Sequence, residues 1–189
     1  MTKDNTARFL IMGLLSHEPM SGYDIKKRLE VAMSHMWDLS YGQIYPTLRA
    51  LESEGLVTME MIVSESGPNR KVYTITQAGK AALRDWVAVP PRPETHRYEI
   101  LLKVFFGQSV GPTVITSHVQ DFRERNVQAI EVMEAFEREL EPLVSRDPAH
   151  SYMLLTVMMG KDVYQAHVRW ADRAMEVLGT MEDGGEVDG

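Results

Sequence analysis

The sequence predicts a mainly α-helical protein with one small β-hairpin, built as an N-terminal winged helix-turn-helix followed by long C-terminal helices that form a dimerisation domain. Three observations carry this. Three short helical patterns precede two strand-like runs in the first half of the 189-residue chain. A proline-rich stretch, "VPPRPE" at 89–94, interrupts any helix and marks a boundary. Beyond it, apolar residues recur with gaps of four and three over many turns, the signature of a helix seam.

The elements follow in order. "TARFLIMGLLS" is apolar and helical. "SGYDIKKRLE" opens with Ser21, and Asp24 stands three residues on, a capping signal. "SYGQIYPTLRALESEGLV", residues 40–57, pairs Ser40 with Gln43 in the same way and stops at Gly55, a residue suited to the left-handed C-terminal position. "LVTMEMIV" (56–63) and "RKVYTIT" (70–76) have strand propensity, and "SESGPN" (64–69) between them has turn chemistry. Thr76 can cap a further helix, "QAGKAALRDWV". Three helices and a hairpin is the order of a winged helix-turn-helix. The expected divisions are a winged domain over 1–88, a linker over 89–95, a helical domain over 96–180 and a disordered tail over 181–189.

The second half carries Ile115, Val119, Phe122, Asn126, Ala129, Met133, Phe136, Leu140 and Leu143 in one sustained seam. Asn126 is its polar member, a type that fixes register. Pro142 and "SRDP" end this helix, and Asp147 with Pro148 starts another that runs to about Leu178. There Val157, Gly160, Tyr164, His167, Ala171 and Ala174 share a stripe, with Met159, Val163, Ala166 and Trp170 beside it. These faces can be buried in a hairpin within one chain or against a second copy. Twofold symmetry favours the copy, so Ile115, Val119, Phe122, Asn126, Met133, Phe136, Leu140, Val157, Tyr164 and Ala171 are the expected dimer contacts.

Charge is uneven: residues 1–86 hold ten basic and ten acidic groups, and residues 87–189 hold ten and seventeen. The net −7 argues against general nucleic-acid affinity but leaves room for a local contact surface. The absence of cysteine removes disulfides and thiolate metal sites. The polar N-terminus has no signal-peptide pattern and no apolar run is long enough to cross a bilayer, so the expectation is a cytoplasmic protein without membrane contact. No nucleophile elbow, phosphate-binding glycine loop or paired-carboxylate pattern suggests an enzyme. His17, His35, His96, His118, His150 and His167 are scattered, and neither a metal nor a cofactor is expected.

On the helix that starts at Ser40 and stops at Gly55, Ile44, Leu48 and Leu51 form the apolar face. The opposite face holds Gly42, Pro46 and Arg49, flanked by Gln43 and Tyr45. Small in the middle and polar at the rim, it suits the major groove. Pro46 fits a thymine methyl, Gln43 can pair bidentately with adenine, and Arg49 can reach guanine or phosphate. Tyr41 and Tyr45 can reach phosphates. The proline is tolerable there because Gly42 adds no side chain to the crowding. Asn69, Arg70 and Lys71 cluster at the hairpin turn, and Lys26, Lys27 and Arg28 lie on the preceding helix.

"IMGLLSHEPMSGYDI", "LSYGQIYPTLRALESEGLV" and "NRKVYTITQAGKAAL", spanning residues 9 to about 86, closely resemble the PadR family of transcriptional regulators. The helical second half resembles, less specifically, its long AphA-like form. The resemblance implies a homodimer joined by C-terminal helices, a double-stranded inverted-repeat operator, repression as the usual outcome and, in some relatives, a small hydrophobic or aromatic effector. It assigns DNA contacts to Tyr41, Gln43, Tyr45, Pro46 and Arg49 on the reading helix and to Arg70 and Lys71 on the wing. Trp86, Met159 and Trp170 are candidate effector contacts. The chain departs from the pattern in Glu65 on the wing and in Glu52 and a single arginine on the reading helix. An alternative is a winged-helix adaptor that binds protein without reading DNA.

Overall fold

The structure, a computed structural model, describes residues 4–32, 37, 39–63, 69–93 and 96–183. The chain divides into two compact units, Met1–Pro93 and Glu94–Gly189.

The first unit contains α1 (Asp4–Leu15), β1 (Met20–Ser21), α2 (Gly22–Ala32), α3 (Tyr41–Ser53), β2 (Val57–Ile62), β3 (Arg70–Ile75) and α4 (Gln77–Ala88). The strands form an antiparallel sheet in the order β1-β3-β2, with Met20 opposite Tyr73 and Val57 opposite Ile75. β1 was not anticipated: two residues are too few for an alternation signal, and it exists because Ser21 pairs with Val72 before entering α2. The "SESGP" turn residues 64–68, Glu65 among them, lie outside the described residues. One core joins Ile11 and Met12 of α1, Ile25 and Leu29 of α2, Ile44, Leu48 and Leu51 of α3, and Val57 and Tyr73 of the sheet.

Local chemistry sets the ends of these helices. Asp24 Oδ2 accepts from the Ser21 backbone N–H (3.0 Å) and hydroxyl (2.7 Å), and the Asp24 N–H donates back to Ser21 Oγ. Thr76 Oγ1 accepts from the Gly79 N–H at the start of α4. Gly55 has a φ of 72°, the left-handed geometry that closes α3. Gly79 is required for a different reason. A Cβ there would stand 2.2 Å from the Leu56 carbonyl oxygen, so only glycine lets α4 seat against the chain leaving α3.

The second unit contains α5 (Glu99–Phe105), a 3₁₀ turn (Gly107–Ser109), α6 (Pro112–Val144) and α7 (Ala149–Asp183). α6 continues two residues past Pro142, which therefore sits in the last turn rather than ending the helix. α7 opens with the Ala149 N–H donating to Asp147 Oδ1 at 2.8 Å, and it extends beyond Leu178 to Asp183, so the expected tail begins later than 181. Residues 184–189 lie outside the described residues.

α6 and α7 pack on each other. Ile115, Val119, Ala171 and Leu178 form a buried cluster with Phe122, Trp170, Ala174 and Met175 around it. The seam expected to bind a second copy is thus filled within one chain: Ile115, Val119, Asn126, Ala129 and Met133 of α6, and Val157 and Ala171 of α7, are buried in this hairpin. A seam of this period fits a neighbouring helix of the same chain as well as a copy, and a short connection makes the intrachain partner the nearer one.

Candidate nucleic-acid interface

The core holds α3 by Ile44, Leu48 and Leu51, each 0% exposed. Tyr41, Gly42, Gln43, Tyr45, Pro46 and Arg49 are all exposed, so every expected reading residue on α3 faces outward. The helical period puts them there once the apolar stripe is buried. Pro46 has no N–H to give the Gly42 carbonyl, and that oxygen opens onto the same face without its usual helical donor.

Side chains at the start of α3 are already organised. The Ser40 backbone N–H and hydroxyl both donate to Gln43 Oε1 at 3.1 Å. The Tyr41 and Tyr45 rings stack at 6.1 Å between centroids. Tyr45 in turn lies over Gly22 at the head of α2, where an added Cβ would come within 2.6 Å of its ring. Gly22 is therefore the seat of Tyr45, a role that sequence spacing does not reveal because the contact joins two helices. The Tyr41 hydroxyl is held above the ordinary phenol range by desolvation and by Glu30. That of Tyr73, buried behind α3, is raised by burial and by Glu52. Both are hydrogen-bond donors at neutral pH.

At the wing, Asn69, Arg70 and Lys71 are exposed. Arg70 and Lys71 are adjacent on β3 and so point to opposite sides of the sheet. Arg70 donates to Asp24 Oδ2 at 2.6 Å and approaches Ser21 Oγ at 3.4 Å, tying the end of β3 to the cap of α2. Burial alone would raise the Asp24 carboxyl; the Ser21 bonds and the Arg70 charge outweigh it and hold the group below the usual carboxylate range. On α2, Arg28 pairs with Glu18 and Lys26 with Glu30. Among the described residues Arg49 and Lys71 form no ion pair, and their charges remain open to an anionic partner.

Residues 11–85 match the PadR-like family of transcriptional regulators, and residues 96–179 match the C-terminal domain family of virulence activator alpha. The chain joins a PadR-like domain to a virulence activator alpha C-terminal domain. Among curated proteins the regulator is 27% identical to the negative transcriptional regulator PadR of Bacillus subtilis, over 90% of this chain and 96% of that one. The crystal structure of Bacillus subtilis PadR in complex with operator DNA matches with a TM-score of 0.77 and 26% identity, covering 90% of this chain and 98% of that one. The Vibrio cholerae virulence activator AphA matches with a TM-score of 0.72 and 27% identity over 93% and 99%.

The regulator's second unit distributes the other expected contacts unevenly. Phe122, Phe136, Leu140 and Tyr164 are partly buried on the hairpin. Phe122 packs edge-on against Trp170 at 5.6 Å. Asn126 Nδ2 donates to the Phe122 carbonyl at 2.7 Å, which leaves Asn126 Oδ1 to accept from His167 Nδ1 at 2.9 Å. Its polarity pins the register of α6 on α7 inside the chain. Burial and then His96 hold the His167 imidazole below its ordinary value. The most exposed apolar residues lie mainly elsewhere, among them Leu102, Phe105 and Phe106 on and after α5 and Tyr152, Leu155 and Met159 on α7.

The three effector candidates lie on two helices, α4 and α7. Trp86 belongs to the first unit, where its ring stacks on Phe9 at 4.6 Å. Met159 is 66% exposed, and Trp170, eleven positions on along α7, lies about 16 Å away along the axis. An open apolar groove of about 600 Å³ does exist in the second unit, lined by Val104, Ile115, Ala174, Leu178 and Met181 among others.

Proposed function

We propose that this regulator is a repressor that binds an inverted-repeat operator in double-stranded DNA as a homodimer, acts in the cytoplasm without catalysis, and is released by a small hydrophobic or aromatic effector. One observation carries the reading: α3 buries its whole apolar stripe and presents Tyr41, Gln43, Tyr45, Pro46 and Arg49 together on the outer face. That surface has a groove-sized centre and polar edges. Asn69 and Lys71 at the wing supply backbone contacts, and the operator complex of the Bacillus subtilis relative supports the same use of the fold. The negative role in that relative's name supports repression.

The dimer reading rests on surface chemistry. The first eighty-six residues carry no net charge, so one copy has little general attraction for DNA. Two copies on one scaffold make the second half-site contact intramolecular. Large apolar residues are left open on α5 and along α7, and an interface with a second copy would cover them. The apolar groove beside α5 is the effector volume that the second unit offers.

Selection from a randomised duplex pool by the purified full-length chain tests the function. An inverted repeat with half-sites about 34–36 Å apart, or a multiple of that, is expected. Recovery of no preferred sequence, with protein partners retained, would favour an adaptor.

A further inference from the structure

We infer that Gln43 reads its base through its Nε2 amide group alone, without the Oε1 acceptor, and that the atom it meets is a purine N7, adenine and guanine alike. This rests on α3 being the recognition helix. The Ser40 N–H and hydroxyl both donate to the same Gln43 atom at 3.1 Å. A backbone N–H can pair only with an acceptor, which fixes the carboxamide orientation: Oε1 faces Ser40 and Nε2 faces out. A carboxamide oxygen has two lone pairs, and Ser40 occupies both. Among the described residues no protein acceptor meets Nε2.

The usual glutamine–adenine pair needs both ends of the amide, with Oε1 accepting from N6 and Nε2 donating to N7. Here the first half of that pair is already committed to the helix start. Freeing it would strand the Ser40 N–H at the N-cap, where the side chain from the third helical position is its partner. What remains is a donor; guanine O6 and thymine O4 also accept in the major groove, and N7 is the acceptor that both purines share at one position. The 6-position, an amine in adenine and a carbonyl in guanine, is then not required for the contact. The neighbouring Pro46 and the absent side chain of Gly42 leave space for either purine.

The experiment uses the full-length chain and the duplex it selects from a randomised pool. The base position whose preference relaxes in Gln43→Ala is located first. Duplexes carrying adenine, guanine, 7-deazaadenine or purine without the 6-amino group at that position are then compared by fluorescence anisotropy. Wild type should bind the adenine, guanine and 6-unsubstituted duplexes within about threefold, and lose about tenfold on 7-deazaadenine. Gln43→Glu keeps an acceptor for Ser40 and lacks the donor. It should keep the wild-type helical signal and bind the adenine and 7-deazaadenine duplexes equally, whatever its overall loss. A tenfold loss on removing the 6-amino group, no preference there between a purine–pyrimidine pair and its reverse, or no relaxed position in Gln43→Ala overturns the inference. A wild-type chain that selects no sequence removes the recognition-helix reading itself, a separate and distinguishable failure.

Discussion

Single side chains on the first unit divide into those that face outward unpaired and those that are already tied down. Arg49 is exposed without an ion pair among the described residues, so Arg49→Ala should weaken specific binding by about 1–3 kcal/mol and relax one base position, measured by anisotropy on single-substitution operators. Lys71→Ala should weaken all duplexes alike and lower the salt slope by about one unit. Arg70→Ala should differ from it. The Arg70 charge is engaged by Asp24, so its loss should change the salt slope less and thermal stability more. Strand alternation alone separates Arg70 from Lys71, but the Asp24 partner, forty-six residues away, is not visible in the sequence. The α3 face was legible because a buried stripe fixes its opposite. The commitment of the Gln43 oxygen was only half legible: the Ser40–Gln43 pair announces a cap, but not which amide atom it consumes.

At the scale of elements, α3 balances helix strength against its outward face. Pro46→Ala would restore a donor for the Gly42 carbonyl and improve helix propensity. We expect the thermal midpoint to rise by a few degrees while operator affinity falls, since the ring surface available to a thymine methyl is lost. Gly79→Ala should act in the opposite sense on stability. Its Cβ meets a backbone carbonyl, which cannot rotate away, and a loss of about 1–3 kcal/mol in urea unfolding is expected. The acid limb of stability belongs to α2. Asp24 has a lowered pKa in the folded chain, so its contribution is present above the unfolded carboxylate value and is lost as pH falls through the folded one. Asp24→Asn should flatten that region of the stability–pH curve. β1 was illegible at two residues, and α5 was hidden by the linker before it. Helices α2, α3 and α4 were legible because Ser21, Ser40, Gly55 and Thr76 punctuate them.

For the whole molecule, the heptad seam was legible as a seam but not as to its partner. Asn126 meets His167 of its own chain, and Val119 and Ala171 are fully buried without a second copy. Charge placed at Phe122 and Phe136 is therefore expected to unfold the α6–α7 hairpin rather than simply to separate the subunits of a dimer. The better probe of assembly is α5, where Leu102 is 62% and Phe105 81% exposed. Leu102→Glu with Phe105→Glu should give a monomer by light scattering, with the helical signal intact and operator affinity strongly reduced. A dimer with normal operator affinity would place the interface on the exposed apolar residues of α7, Tyr152, Leu155 and Met159 among them, instead.

The Leu56 carbonyl oxygen accepts from the Thr76 N–H (3.0 Å), the Thr76 hydroxyl shares its proton between the carbonyl oxygens of Gly55 (2.8 Å) and Leu56 (3.1 Å), and the same hydroxyl oxygen accepts from the Gly79 N–H. The chain leaving α3, the end of β3 and the first turn of α4 are thus knotted at two residues twenty positions apart. These bonds share the Leu56 carbonyl and the Thr76 hydroxyl, so opening one weakens the others. The Thr76 and Gly79 amides should therefore exchange their hydrogens with a common opening free energy, higher than that of the exposed α4 surface. The end of the reading helix and the start of α4 would then loosen as one cooperative unit.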